Sequence, residues 1–345
     1  MRIHLGHHFY GAGNLGDDFM LAGFLTAMRR FAPQASFTSC VPFSLEPLRR
    51  RFPAIEWRPC EPSERERSID ACDVWLGLGG SPFQSAQNRW FIDHLAGDAA
   101  LCSRSRKPMF YLGVGVQTDD ELAVPEVRDL CAQASGIWTR DADSASRLAA
   151  MPKPPRLVTA AADLAHLFFR ESPPPPAAAG RLTLVPNFDY ATWPGQDAAL
   201  HATDSLAATD QVWLAQESRE LPGAERALHA ALPETQRPRW RLVAPEEPGA
   251  PLDSVLARWP SGESLISARY HAALAGAWAG SRIVVIGTNE KLRAVARELD
   301  APQIAPDADS DAVARALASA RPATPPLRAV DLAEAACAAF LRAAA

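Results

Sequence analysis

The chain has 345 residues, 48% hydrophobic and 22% charged, enough apolar material for two ordinary domains and without the charge excess of a disordered protein. Its net charge of −5 argues against a nucleic-acid backbone as the main partner, because that contact needs a basic face. Six scattered cysteines (Cys40, Cys60, Cys72, Cys102, Cys131, Cys337) lack CxxC spacing, which argues against a cysteine cluster or a disulfide framework and fits reduced thiols.

The opening MRIHLGHHFYG lacks the apolar core of a signal peptide, and no uninterrupted apolar run reaches membrane-span length. The expectation is a cytoplasmic protein, with peripheral contact at the inner membrane face left open.

In chain order, Arg2–Gly6 reads as a first strand, followed by a glycine turn and an amphipathic helix from about Phe19 to Phe31, with Leu21, Phe24, Leu25 and Met28 at helical spacing. Gly11-Ala12-Gly13-Asn14-Leu15-Gly16 matches the dinucleotide fingerprint GxGxxG, but Asp17 and Asp18 follow it. Two carboxylates in a first helical turn suit the helix dipole and repel a pyrophosphate. The loop is better suited to sugar hydroxyls or to supplying a general base; acidic helix capping is the plain alternative. His4, His7 and His8 do not converge as metal ligands on a strand, where His4 and His8 share a face and His7 points away.

A strand at Ser36–Val41 and a helix at Leu45–Arg51 come next, then a charged stretch, Glu61–Arg67, read as solvated surface. Buried strands at Asp73–Leu78, Met109–Val116, Gly136–Thr139 and Leu157–Ala161 each end in glycine or polar residues: Gly79-Gly80, Gln117, Arg140-Asp141 and Asp163. Such endings mark one ligand-binding edge of a parallel sheet.

Ser172–Ala179 (SPPPPAAA) breaks the chain, since four prolines continue neither a helix nor a central strand. Strands near Arg181–Pro186, Gln211–Ala215, Arg239–Ala244, Ser264–Ala268 and Arg282–Ile286 follow, with helices at Ala224–Leu232, Leu252–Trp259 and Glu290–Leu299. Asp307–Asp311 reads as a polar turn and Val330–Ala345 as a helix that could cross back over the first domain. The expectation is two doubly wound Rossmann-like α/β domains facing a cleft: 1–171, a linker 172–180, 181–325, and a terminal helix 326–345.

The stretch Ser264–Gly287 carries the most chemistry. A buried strand leads into a turn with Arg269, Tyr270 and His271, then a small-residue helix and a second buried strand. A guanidinium and an imidazole at the carboxyl end of a parallel strand suit a small doubly charged substrate that needs a proton; a structural Arg–carboxylate pair beside a packed histidine is the alternative. Lys291, in the first turn of its helix, opposes the dipole and is a further candidate.

These pieces resemble the polysaccharide pyruvyl transferases, whose fold is similar to that of the two-domain GT-B glycosyltransferases. The resemblance rests on YGAGNLGDD at Tyr10–Asp18, GLGGSPFQ at Gly77–Gln84, LGVGVQ at Leu112–Gln117, TRD at Thr139–Asp141, AADLA at Ala161–Ala165, SARYHAALAGAWAG at Ser267–Gly280 and NEKL at Asn289–Leu292. It implies transfer of a pyruvyl group from phosphoenolpyruvate to two hydroxyls of a sugar in a bacterial polysaccharide or its precursor, with no cofactor beyond that donor and no metal. By the same resemblance Arg269, helped by Arg140 and Lys291, is expected to hold the donor, and His271 to protonate its methylene. Asp17 or Asp18 is expected as base, and Gly13, Asn14, Gly80 and Gln84 to line the acceptor side. The acceptor is a saccharide, with lipid linkage and oligomeric state left open. Two other readings fit the same residues: a nucleotide-sugar glycosyltransferase and a non-catalytic carbohydrate-binding protein.

Overall fold

The computed structural model describes residues 1–7, 9–84, 89–187, 200, 203, 209–216, 224–244 and 247–345. In the first domain, strands β1 (Arg2–Leu5), β2 (Ser36–Val41), β3 (Ile55–Pro59), β4 (Val74–Leu78), β5 (Met109–Val114), β6 (Gly136–Thr139) and β7 (Val158–Ala160) form one parallel sheet in the order β3-β2-β1-β4-β5-β6-β7. Between them run α1 (Leu15–Phe31), α2 (Leu45–Arg51), α3 (Pro62–Ala71), α4 (Trp90–Arg104), α5 (Asp119–Ala123), α6 (Pro125–Gln133) and α7 (Ala142–Ala149), and α8 (Ala165–Glu171) follows β7. Because every pairing is parallel, the carboxyl ends of these strands share one edge, where sheets of this kind bind ligands.

In the second domain, β8 (Ala178–Val185), β9 (Asp210–Leu214), β10 (Trp240–Val243), β11 (Gly262–Ser267), β12 (Arg282–Ile286) and β13 (Gln303–Ile304) form a parallel sheet ordered β10-β9-β8-β11-β12-β13. Its helices are α9 (Ala224–Ala230), α10 (Leu252–Ala257), α11 (Tyr270–Ala279), α12 (Glu290–Glu298) and α13 (Ser310–Ser319). The last helix, α14 (Leu327–Ala344), returns to the first domain. Its Phe340 stacks edge-on against Phe110 and Trp138, and Glu334 pairs with Arg30 (2.6 Å) and Arg170 (2.7 Å).

The structure departs from the sequence reading in a few places, each with a reason. α1 starts at Leu15 rather than near Phe19 because Asn14 caps it, its Oδ1 accepting the Gly16 N–H at 3.2 Å. The charged stretch Glu61–Arg67 lies mostly within α3, a helix whose buried residues are Ser68 and Ile69, too few to write an apolar stripe. β3 is a short edge strand, and β13 has two residues, below what a sequence pattern resolves. Asp307–Asp311 runs into α13, whose cap Asp309 accepts the Ala312 N–H. β8 begins at Ala178, inside the segment assigned to the linker.

The domains meet along α1, α8 and α11, and one apolar cluster runs across them from Phe19, Leu164 and Phe169 to Tyr270, Ala273 and Ala277. The alanines explain how α11 fits there, since a helix of small side chains can be buried on every side. It stops at Gly280, which takes the left-handed conformation (φ 83°) that closes the last turn. Polar ties cross the same interface. Trp278 Nε1 donates to His166 Nδ1 (3.1 Å), which fixes the His166 tautomer, so Nε2–H donates to Glu298 at 2.8 Å. Arg297 pairs with Asp143, and Arg51 joins Asp18 to the carbonyls of Glu247 and Ala250.

Candidate functional site

Four chain segments bring titratable groups to the meeting edges of the two sheets. The first is the start of α1. Asn14 Nδ2 donates to Asp17 Oδ2 at 2.8 Å, aiming that carboxylate into the cleft. Asp17 is partly exposed, yet its surroundings push its pKa up to about 7. Burial contributes most, Lys291 opposes it, and Asp18 and Asp163 add to it. Asp18, one residue on, is almost fully buried and spent in an ion pair with Arg51 at 2.5 Å. The two aspartates that the sequence could not tell apart therefore have different employment.

The second segment is the end of β6. Thr139 Oγ1 donates to the Asp141 carbonyl, and Asp141 caps α7 through the Ser144 N–H and hydroxyl. Arg140 between them turns inward, 3% exposed, with Nη2 donating to Ser81 Oγ at 3.0 Å. Gly115 makes this possible, since a Cβ there would stand 2.5 Å from the guanidinium. The third segment follows β7, where Asp163 Oδ1 accepts the Ala165 N–H at 2.9 Å and Oδ2 faces the second domain.

The fourth is the turn between β11 and α11 with the neighbouring start of α12. Ser267 Oγ accepts the Arg269 N–H and donates to its carbonyl, locking the turn. Arg269 grips buried Glu225 through Nε at 2.9 Å and through Nη2, so the structural ion pair that the sequence left as an alternative is present. His271 is buried, with Nε2 3.4 Å from Asp163 Oδ2, ion-pair range but outside hydrogen-bond geometry. Its ring lies against Gly16: a Cβ there would be 2.1 Å from Nδ1. Burial lowers the imidazole pKa, Asp163 works against that, and the Lys291 and Arg140 charges lower it further. Asp163 itself is held ionised at about 2; burial would raise it, but His271, Arg140 and the Ala165 N–H prevail.

Lys291 sits behind the Asn289 cap of α12, and among the described residues no carboxylate comes within ion-pair reach of it. Burial, Arg140 and Arg269 bring its pKa down to about 8 against Asp17 and Asp163. Tyr270 carries both nearby cations on its ring, Arg140 at 5.0 Å and Lys291 at 5.8 Å from the centroid. A crevice of about 10 Å³ between Gln117, Arg140, Asp141 and Lys291 marks the seam. A larger hollow of about 450 Å³ flanks β3 and includes none of these groups.

The acceptor-side candidates occupy the same edge of the first sheet. Gly13 (φ 91°) and Gly80 (φ 72°) take the left-handed backbone that only glycine adopts freely. Gln84 Oε1 accepts from Gln117 at 3.4 Å. Of the early histidines, His4 is buried with Nδ1 3.1 Å from Thr38 Oγ1, and His7 Nδ1 donates to the Leu78 carbonyl within a group of aromatic rings. His8 lies outside the described residues. No group of three metal-ligating side chains occurs among the described residues, nor does any helix there have the length and apolarity to cross a membrane.

Asp163 and Tyr270 were not singled out as site residues from the sequence. Asp163 stood in view at the end of a predicted strand, but its partner is 108 positions away across the cleft. Tyr270 read as the middle residue of the turn between Arg269 and His271, with no role of its own.

The polysaccharide pyruvyl transferase family model matches residues 14–289, which spans the first three segments and the β11–α11 turn of the fourth and stops two residues before Lys291. No match was found among curated proteins. Among solved structures, the chain is similar to the UDP-GlcNAc 2-epimerase of Neisseria meningitidis bound to UDP-GlcNAc (TM-score 0.61, 11% identity, covering 99% of each chain). It is also similar to Anabaena HepE in complex with UDP-glucose (TM-score 0.60, 10% identity, 99% of this chain and 94% of that one). The UDP-GlcNAc 2-epimerase of Methanocaldococcus jannaschii is a third (TM-score 0.60, 9% identity, 99% and 98%). At these identities the likeness establishes the fold, two Rossmann-like domains in the GT-B arrangement.

Proposed function

The chain belongs to the polysaccharide pyruvyl transferase family, and from that premise we propose that it moves the pyruvyl group of phosphoenolpyruvate onto two hydroxyls of a saccharide, closing a cyclic ketal and releasing phosphate. The observation that carries the reading is the convergence of Lys291 and His271 from the second domain with Arg140 and Asp17 from the first. A donor with a carboxylate and a phosphate needs fixed cations, a proton source for its methylene and, for the incoming hydroxyl, a base.

Arg140 and Lys291 take the leading donor-binding role, because Arg269 is already engaged by Glu225. His271 protonates the methylene carbon, whose double-bond electron pair forms the new C–H bond and leaves the central carbon electrophilic. The first saccharide hydroxyl adds there and gives its proton to Asp17, whose pKa near neutrality suits a base at physiological pH. The bond from the central carbon to the phosphate oxygen then breaks, and the second hydroxyl closes the ring. Two hydroxyl protons are lost; one is gained by the methyl group and one by the departing phosphate. Lodging a saccharide in so narrow a crevice requires the domains to part and reclose, which also excludes water.

The test is thermal unfolding with phosphoenolpyruvate and, separately, with UDP, the nucleotide held by the structurally similar Anabaena HepE. At about a hundred times its dissociation constant a ligand stabilises the native state by roughly 2.7 kcal/mol. A shift with phosphoenolpyruvate that is lost in Lys291→Met supports the pyruvyl donor; a shift with UDP alone favours a nucleotide-sugar transferase.

A further inference from the structure

We propose that Asp163 is a positioning residue that holds His271 with its proton on Nε2, so that Nδ1 is the nitrogen that exchanges protons with substrate. The inference rests on the pyruvyl-transfer reading for its catalytic consequence, but its structural content stands on geometry alone. Nε2 of His271 is sealed from solvent, and the atom it faces is Asp163 Oδ2, at 3.4 Å. The other carboxylate oxygen is tied to the Ala165 N–H, so Asp163 cannot swing to follow the ring. Nδ1 points the opposite way, toward the first turn of α1, where residue 16 has no side chain. An alanine there would cover the ring nitrogen, so the glycine keeps Nδ1 open to the cleft.

A buried imidazole is a poor acid because burial disfavours its charged form. A fixed carboxylate on the far nitrogen stabilises the imidazolium and selects one neutral tautomer, as in the Asp–His pairs of hydrolases. The charged groups acting on the ring come from the neighbouring elements: Asp163 after β7, Arg140 after β6 and Lys291 on α12, with Tyr270 edge-on at 5.1 Å, while α1 brings Gly16 against the ring with Asp17 as the next residue. Of these, Asp163 alone is an ionised carboxylate within ion-pair distance. In the proposed step Nδ1–H gives its proton to the donor methylene and Nε2–H keeps its own, so the ring returns to the neutral Nε2–H form. The two halves of this acid belong to different domains, and a parted cleft disarms it.

The experiment is long-range proton–nitrogen NMR of the full chain with labelled histidine, His271 being assigned by the signal missing in His271→Gln. The expected result is an Nε2–H tautomer in the native protein. In Asp163→Asn, which keeps the Oδ1 acceptor for Ala165, the midpoint should fall by at least about one pH unit. Turnover with phosphoenolpyruvate should drop by ~100-fold or more while donor affinity stays within about threefold. Gly16→Ala should displace the His271 signals with both side chains present. An Nδ1–H tautomer in the native protein, or an unchanged midpoint in Asp163→Asn, overturns the proposal. The native tautomer needs no variant to fold. If phosphoenolpyruvate neither binds nor turns over, the pyruvyl reading fails and the tautomer still decides the role of Asp163.

Discussion

The imidazole of His271 rests on the backbone of Gly16, with Nδ1 only 2.1 Å from where a Cβ would stand. The two residues belong to different domains, so the glycine-rich turn of the first exists in part to admit the histidine of the second. This gives the third glycine of the GxGxxG string a role unrelated to dinucleotides.

Gly16→Ala is therefore expected to leave α1 intact, since alanine is the better helix former and Gly16 does not need a left-handed backbone. Turnover should fall by at least about tenfold as the ring is pushed off its place. Gly23→Ala, on the same helix, is the contrast: its Cβ would lie 1.8 Å from the Leu164 carbonyl, so it should disturb the packing of α1 on α8. Circular dichroism and turnover on the two variants separate the effects.

The pH dependence of kcat/KM should be a narrow bell. Asp17 must be ionised to act as base, so activity rises with pH through about 7. His271, whose pKa is lowered, must be protonated to act as acid and Lys291 to hold the donor, so activity falls again on the alkaline side, and the loss is complete once pH passes about 8. Asp17 and Lys291 interact, so their titrations belong to the pair. Asp17→Asn should lose ~10²-fold or more, and Lys291→Met should weaken donor binding and leave an alkaline limb set by His271. A flat profile between pH 6 and 9 would count against both assignments.

The same shifts make the site a stability burden. The Asp17 pKa is raised on folding, so the native state holds a proton that the unfolded chain releases, and stability falls as pH rises from about 4 to about 7. Asp17→Asn should raise the melting temperature at pH 8 and lose that advantage below about pH 4. The Lys291 pKa is lowered on folding, so its penalty is fully present below about pH 8 and fades as pH climbs toward the unfolded value near 10.4. Lys291→Met should stabilise the free protein at pH 7. Calorimetry across these windows checks both signs.

Strand and helix periodicity made most of both sheets legible, and the parallel edge followed from the polar residues closing β4, β5, β6 and β7. Individual candidate residues were legible where the local context drew attention to them: Lys291 against the dipole at a helix start, Asp17 behind a glycine turn. Pairings across the cleft were not. Glu225 reads as an ordinary helical residue until Arg269 is seen against it, and Asp163 as one polar strand end among several until His271 is seen facing it. Those relations depend on how two domains dock, and one-dimensional spacing carries no record of that.

Asp18 tests whether the second aspartate serves chemistry or docking. Its pair with Arg51 is buried, and Arg51 continues to the carbonyls of Glu247 (2.7 Å) and Ala250 (2.9 Å) in the second domain. Removing one partner of a buried pair leaves the other charge stranded and costs about 3–5 kcal/mol. Asp18→Asn and Arg51→Met should each lower the melting temperature, and the double variant should recover part of the loss because neither charge is then left alone. Neither should abolish the acidic limb of the pH profile, which belongs to Asp17 in its pairing with Lys291, although Asp18→Asn should shift it to lower pH because the Asp18 charge helps raise the Asp17 pKa. If Asp18→Asn instead abolished turnover at full stability, the base would be Asp18, and the division of labour within the Asp-Asp pair would be reversed.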